Sequence, residues 1–251
     1  MRFATETAVV FAREVRPQLR NPIGLVFGMA QPVVFLVLFG SLLSGLAWGG
    51  GDTAWQWFVP GTLIMMGLSG TISAGYMLMT EMSGGSLDRM LVTPISRSAM
   101  LVGRTGKEAL LLLAQSALII VVVLPFGFEL HLVGAVVAML LLAVIGIGLG
   151  AFSCALAVLA RKQESLFYVV QQTLLFPLLM LSGVLLPLGT APSWMRAVSR
   201  VNPLTYVVEA ERDLFAGHLS GTAVLHGVAS AVGFAVVGVL VGARAMRRAG
   251  D

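Results

Sequence analysis

LVGAVVAMLLLAVIGIGLGAFSCALAVLA, Leu132 to Ala160, carries no charged side chain. A helix needs about 20 apolar residues to cross the hydrocarbon of a bilayer, so this run can span it even when tilted. A soluble helix of such length would keep a polar face, and this one has none. Composition extends the conclusion to the whole chain. Of the 251 residues, 57% are hydrophobic and 11% charged, against about 25% charged in a soluble domain. The chain is an integral membrane protein.

Five more apolar runs give six expected spans: Ile23 to Leu46, Trp57 to Thr80, Arg104 to Leu124, Leu132 to Ala160, Leu166 to Leu186 and Thr222 to Ala243. Lys107 and Glu108 make the start of the third the least apolar boundary. All six are expected to be helices, because lipid offers no partner to free backbone groups. The expected fold is therefore all-α, a single transmembrane domain over residues 1–251.

Six spans place both termini on one side, and the basic residues choose it. Arg2, Arg13, Arg16, Arg20, Arg89, Arg97, Arg104, Lys107, Arg161, Lys162, Arg244, Arg247 and Arg248 fall on one face, thirteen of the sixteen Lys and Arg. Arg196, Arg200 and Arg212 fall on the other. The positive-inside rule makes the larger group cytoplasmic. The net charge of +4 thus reflects topology, and no soluble basic surface for nucleic acid is visible. The preference for Arg over Lys and the high Ala and Gly content point to a GC-rich bacterial genome, hence a bacterial cell membrane.

Residues 1–21 read as an amphipathic helix on the inner membrane surface. Arg2, Glu6, Arg13, Arg16 and Arg20 share one arc and Phe3, Ala4, Ala8, Val10, Phe11 and Val15 the other, with Val9 and Glu14 as exceptions. Arg13, Glu14 and Arg16 interrupt any apolar core a signal peptide would need. An anchor with no other role is the plain alternative.

Several chemistries are disfavoured. Cys154, His131, His218 and His226 form no metal-ligand spacing, so no metal is expected. The polar residues expected at depth are neutral: Gln31, Gln115, Gln171, Gln172 and Thr173. Proton- or ion-coupled carriers place ionisable groups there, channels want repeated filters or charged rings, and enzymes want a catalytic cluster. No catalytic residue stands out. Gly103-Arg-Thr-Gly106-Lys107-Glu108 fails as a phosphate-binding loop, since Leu101 and Glu108 stand where Gly and Ser or Thr are needed. The chain is not expected to be an ATPase or to bind a cofactor.

Two segments stand out between the spans. In residues 81–98, Gly84-Gly85 releases the second span, Ser86 can cap a short helix, and Asp88 suits its first turn. Leu87, Met90 and Leu91 share a face, and Thr93-Pro94 ends it. A surface helix resting on headgroups is one reading of this segment. In residues 187–221, Pro187 and Pro192 break helix, and Trp194, Val198 and Val201 fall on one face. Asn202-Pro203 then starts a second amphipathic helix that Gly217 can end. These two outer helices are too short to span and are expected to dip into the outer leaflet.

Glu81 through Pro94, together with Ser182-Gly183-Val184, Pro187, Trp194, Asn202-Pro203-Leu204-Thr205-Tyr206 and Arg212, resembles the membrane permease of type-2 ABC exporters. The daunorubicin-resistance and polysaccharide-export permeases belong to that group. Ser86, Asp88 and Met90 replace the family's Thr, Glu and Leu. The resemblance implies a cytoplasmic coupling helix, with Glu81, Leu87, Asp88, Arg89, Met90, Leu91, Thr93 and Pro94 facing an ATPase subunit. It implies an extracellular gate that includes Pro187, Trp194, Asn202, Pro203, Tyr206, Glu211 and Arg212. It also implies two permease chains, here expected to be identical, with two ATPase chains that bind ATP and Mg. Glu211 departs from the family's apolar residue. It is expected either to pair with Arg196 or Arg200, or to lie at an exposed helix end, or to meet a cationic substrate at the exit.

A path lined by Tyr76, Met77, Gln171, Gln172, Phe176 and Met180 would suit an amphipathic drug, lipid-linked metabolite or glycan, although Met and Phe also serve as plain packing. The function expected is outward, ATP-driven transport, with a passive channel or secondary carrier as the alternative.

Overall fold

Each long apolar run closes its own backbone hydrogen bonds, as lipid requires, and the computed structural model consists of helices joined by turns in its described residues: 2–20, 22–43, 54–85, 96–184 and 188–248. In chain order the helices are α1 (Arg2–Leu19), α2 (Pro22–Leu43), α3 (Ala54–Ser83), α4 (Arg97–Val123), α5 (Leu132–Leu159), α6 (Glu164–Leu181), α7 (Ser193–Ser199), α8 (Pro203–Phe215) and α9 (Thr222–Arg248). Five of them, α3, α4, α5, α6 and α9, are long and apolar enough to cross a membrane.

Helix α5 forms the centre, with α3, α4 and α9 packed around it. Small residues set how close α9 comes. A Cβ on Gly238 would lie 2.6 Å from the Gly148 carbonyl oxygen, and one on Gly148 would lie 2.8 Å from the Ala235 Cα. Close backbone approach of this kind holds membrane helices together where the hydrophobic effect cannot. Phe152 and Phe234 meet at a tilt beside the crossing with ring centroids 4.9 Å apart.

The interior divides into two apolar clusters. One, toward the expected outer side, gathers Phe58, Leu63, Ile119, Leu142, Leu204, Val208 and Phe215. The other, toward the expected cytoplasmic side, gathers Val10, Leu78, Met100, Leu101, Cys154, Phe167 and Met246. At the margin, α6 buries only Phe167 and Leu179.

Two boundaries and the placement of one helix differ from expectation. Helix α4 begins at Arg97 with Ser96 as its cap, the Ser96 hydroxyl accepting from the Ala99 amide, so Arg104, Lys107 and Glu108 lie inside a continuous helix. The fifth run stops as a helix at Leu181, because Gly183 takes a left-handed backbone with φ 73°. Ser182, Gly183 and Val184 then belong to a turn rather than to a span, and Leu185 and Leu186 lie outside the described residues. Helix α1 does not simply lie on a surface: Val10 and Val15 are buried, and a Cβ on Gly103 of α4 would meet Val10 Cβ at 2.9 Å.

Candidate functional site

Helix α1 carries Glu14 on its apolar side, which the amphipathic pattern leaves unexplained. The structure supplies the reason. Glu14 Oε1 accepts from Arg104 Nη2 at 3.3 Å, and the same guanidinium donates to Glu81 near the end of α3. Lys107 Nζ stands 2.8 Å from Glu108 Oε1 and 4.0 Å from Glu14 Oε2. Arg104, Lys107, Glu108 and Glu14 are all buried. Charges this deep need partners, and here three carboxylates and two cations supply them across α1, α3 and α4.

This cluster sits at the stem of the loop that joins α3 to α4. The other stem is tied down too. The Ser96 amide donates to Glu6 Oε2 at 2.9 Å, and Arg97 donates to the carbonyl of Arg247 in α9. The α3 stem ends in a turn at Gly85, whose φ of 66° favours glycine. Of the expected coupling residues, Glu81 is part of the cluster. Leu87, Asp88, Arg89, Met90, Leu91, Thr93 and Pro94 lie outside the described residues.

At the opposite end, α8 begins where the sequence places it. Asn202 caps it, its side-chain oxygen accepting from the Leu204 amide at 3.1 Å. The same side chain donates to the Leu178 carbonyl at 3.2 Å, and Thr205 Oγ1 donates to the Leu181 carbonyl at 3.1 Å. These are carbonyls near the end of α6, where helical partners run out. Arg212 continues the pattern. Its Nη2 donates to Gly183 O at 2.9 Å and Val184 O at 3.1 Å, and its guanidinium stacks 3.5 Å over the Trp57 ring of α3. Burial pulls Arg212 down to about 9, which leaves it charged at neutral pH. Tyr206 donates from its hydroxyl to the Arg200 carbonyl at 2.7 Å. Trp194 is exposed, Pro203 opens α8, and Pro187 lies outside the described residues.

Glu211 corrects an expectation. It is fully buried in α8, and neither carboxylate oxygen has a hydrogen-bond partner. Arg196 and Arg200 are exposed, so neither the expected ion pair nor an exposed helix end is found. Nor is the carboxylate placed where a passing ligand would touch it. The helical spacing that carries Val207, Val208 and Leu214 into the outer core carries Glu211 there too. Desolvation pushes its carboxyl well above the usual range.

The expected path residues divide between two places. Gln171 lines a cavity of about 640 Å³ among α3, α5, α6 and α9, together with Ser153, Leu156, Leu175, Asn202 and Phe234. Tyr76 and Met77 instead face outward from α3, and Gln172 and Phe176 outward from α6, with Met180 half-buried. The structure also adds a residue that sequence reasoning missed. Tyr168 of α6 meets Tyr76, ring centroids 5.9 Å apart. Nothing in local spacing signals that contact, because it joins different helices.

Five helices long and apolar enough to cross a membrane, with a buried ion cluster toward one end and a short helix tied to a span at the other, define a multi-pass membrane protein. The ABC-2 type transporter family model matches residues 5–216, and the chain belongs to that family of membrane permeases, transport subunits that work with ATP-binding subunits. It is 28% identical to the daunorubicin resistance ABC transporter permease protein DrrB1 of Streptomyces coeruleorubidus, over 78% of this chain and 70% of that one. It is 32% identical to a chain named as a transport permease, ycf38, of Cyanophora paradoxa, over 85% of this chain and 75% of that one.

Proposed function

We propose that this chain is the membrane half of an ATP-driven exporter in a bacterial cell membrane. Residues 1–251 form one transmembrane domain of six spans, α2 being the first, with both termini cytoplasmic. Two identical copies work with two ATPase copies, which bind ATP and Mg. The substrate is amphipathic and moves outward. Kinship with a daunorubicin-resistance permease supports the direction and the substrate class.

The observation that carries the mechanism is the clamped loop. In this reading the loop of residues 81–98 carries the coupling helix, with Leu87, Met90 and Leu91 seated in the ATPase and Asp88 and Arg89 setting its orientation. Force on that helix enters stems bound to each other by Glu81–Arg104, to α1 by Glu6–Ser96 and to α9 by Arg97–Arg247. The buried ion cluster makes α1, α3 and α4 respond as one unit. Helix α6, lightly held along its length, follows that unit and passes the movement through Leu178, Leu181, Gly183 and Val184 to α8. Helices α7 and α8 form the outer gate.

A second copy is supported by what α6 leaves uncovered. Gln172 and Thr173 are exposed in mid-helix, and Pro177 removes the amide that would pair with the Thr173 carbonyl. Polar groups at such depth face a partner or a water-lined path rather than lipid.

The test is ATPase activity of the co-purified complex in lipid, with Leu87→Asp plus Leu91→Asp. Loss of activity or of complex formation, with the permease still folded, supports the reading. A double variant that behaves as wild type, or the absence of any ATPase partner, reopens the channel or carrier alternative.

A further inference from the structure

Helix α6 stands off from the bundle. It buries only Phe167 and Leu179, and the cavity of about 640 Å³ runs between it and the α5–α9 pair, lined by Leu156 and Leu159 of α5, Leu174 and Leu178 of α6, and Phe234 and Val241 of α9. Its polar side chains are few and already engaged. Asn202 bonds the Leu204 amide and the Leu178 carbonyl, and Gln171 Nε2 donates to Ser153 Oγ at 3.4 Å. Gln171 Oε1 is left without a partner among the described residues. A buried water needs about two to four polar partners, and one free acceptor does not hold a column of them. The groove suits an apolar occupant.

One end of this groove is cationic. Helices α5 and α9 run in the same direction, with Gly148 beside Ala235 and Ala151 beside Gly242, so both finish at this end. Phe234, Val241 and Arg248 recur every seventh residue on one face of α9, and Arg244 flanks that face one turn before Arg248. The turn from α5 to α6, which crosses the end of the groove, holds Arg161 and Lys162. All four cations are exposed, and none of them forms an ion pair among the described residues. The carboxylate nearest to them in the chain is Glu164, exposed in the first turn of α6, one against four.

We propose that this groove holds one anionic phospholipid, with an acyl chain between α6 and the α5–α9 pair and the phosphate at Arg244 and Arg248, beside Arg161 and Lys162. Basic pockets between spans attract anionic head groups. The cationic end is the one that the positive-inside rule places in the cytoplasm, so the lipid comes from the inner leaflet. A second copy of the chain is the other candidate occupant. In the same membrane orientation it brings the same four cations to the same end, where like charges repel. The lipid is not cargo: it completes the packing of α6, a helix that the rest of the chain barely covers.

The experiment separates head group from chain. Dioleoyl phosphatidylglycerol and dioleoyl phosphatidylcholine, which share their chains, are titrated onto the purified full-length protein in detergent, and bound lipid is counted by native mass spectrometry. Wild type is compared with Leu174→Trp, which fills the groove, and with a fourfold variant, Arg161→Gln, Lys162→Gln, Arg244→Gln and Arg248→Gln. Wild type is expected to bind one phosphatidylglycerol at least about tenfold more tightly than phosphatidylcholine. The fourfold variant should bind the two lipids equally, and Leu174→Trp should weaken both. Should the fourfold variant fail to fold, the lipid comparison and Leu174→Trp still decide. Equal binding of the two lipids by wild type, or a phosphatidylglycerol preference that survives in a folded fourfold variant, overturns the proposal. Lipid binding unchanged by Leu174→Trp overturns it as well, and a lower dimer fraction in that variant would then assign the groove to a second copy. The titration uses no ATPase, so its outcome is independent of the coupling test.

Discussion

Arg104 Nη2 lies 3.3 Å from Glu14 Oε1, across ninety residues of chain. The contact locks an N-terminal helix, which has no length to spare for crossing a membrane, onto the α4 span. Both side chains are buried, and Arg104 also holds Glu81. Replacing one member of a buried ion pair leaves a bare charge and costs about 3–5 kcal/mol. Arg104→Met is expected to lower thermal stability in detergent by that order, whereas exposed Arg16→Met leaves it within about 0.5 kcal/mol. Equal, small shifts for the two variants would remove the cluster from the account of stability.

At Gly103, α4 lies close against α1, beside Val10. Gly103→Leu places a side chain in the space Val10 occupies, and overpacking of this kind costs about 1–3 kcal/mol. The expected result is undocking of α1. Val10 is 2% exposed, so Val10→Cys should react slowly with a maleimide alone and quickly once Gly103→Leu is added. Cys154 is buried and contributes little background.

Asn202 and Thr205 tie the outer helix to the end of α6. Thr205→Val keeps the shape and removes one bond, a loss of about 1 kcal/mol. Asn202→Ala removes the α8 cap as well and is expected to cost about 0.5–2 kcal/mol from that alone. If α8 moves with α6, spin labels on α7 and α6 should show a broader distance distribution in both variants than in wild type. An unchanged distribution would mean that other contacts carry the coupling.

Glu211 predicts a pH dependence whose sign follows from burial. Its folded carboxyl sits well above the usual range because of desolvation, while the unfolded value is near 4.3. The folded state therefore holds the proton more tightly. Its contribution is fully present below the unfolded value and is lost as pH rises toward the folded one, by about 1.4 kcal/mol per pH unit. Glu211→Gln should raise stability at pH 8 much more than at pH 5, read as the difference in Tm between the two proteins at each pH. A constant difference would show that the carboxylate finds a compensating partner.

The membrane class, the long spans and both outer-helix boundaries were legible in the sequence, because each depends on local composition. A bilayer requires a continuous apolar run wherever a helix crosses it, and Asn202-Pro203 and Gly217 act through their own backbone neighbours. The end of α6 was not legible from apolarity alone, since hydropathy continues past Gly183 while the backbone turns there.

The candidate site divides along the same line. Glu14 was visible as an exception to the α1 pattern, and Lys107 and Glu108 as charges at the edge of a span, yet nothing local joins them. Their meeting with Glu81 and Arg104, the contact of Tyr76 with Tyr168, and the burial of Glu211 without a partner all depend on how separate helices pack. Sequence by itself determined five of the six segments expected to cross the membrane, those long and apolar enough to do so, and which family of permeases this chain belongs to. Only the tertiary structure decided which charges neutralise one another and which polar face stays open, because those energies depend on distance and solvent exclusion between residues far apart in the chain.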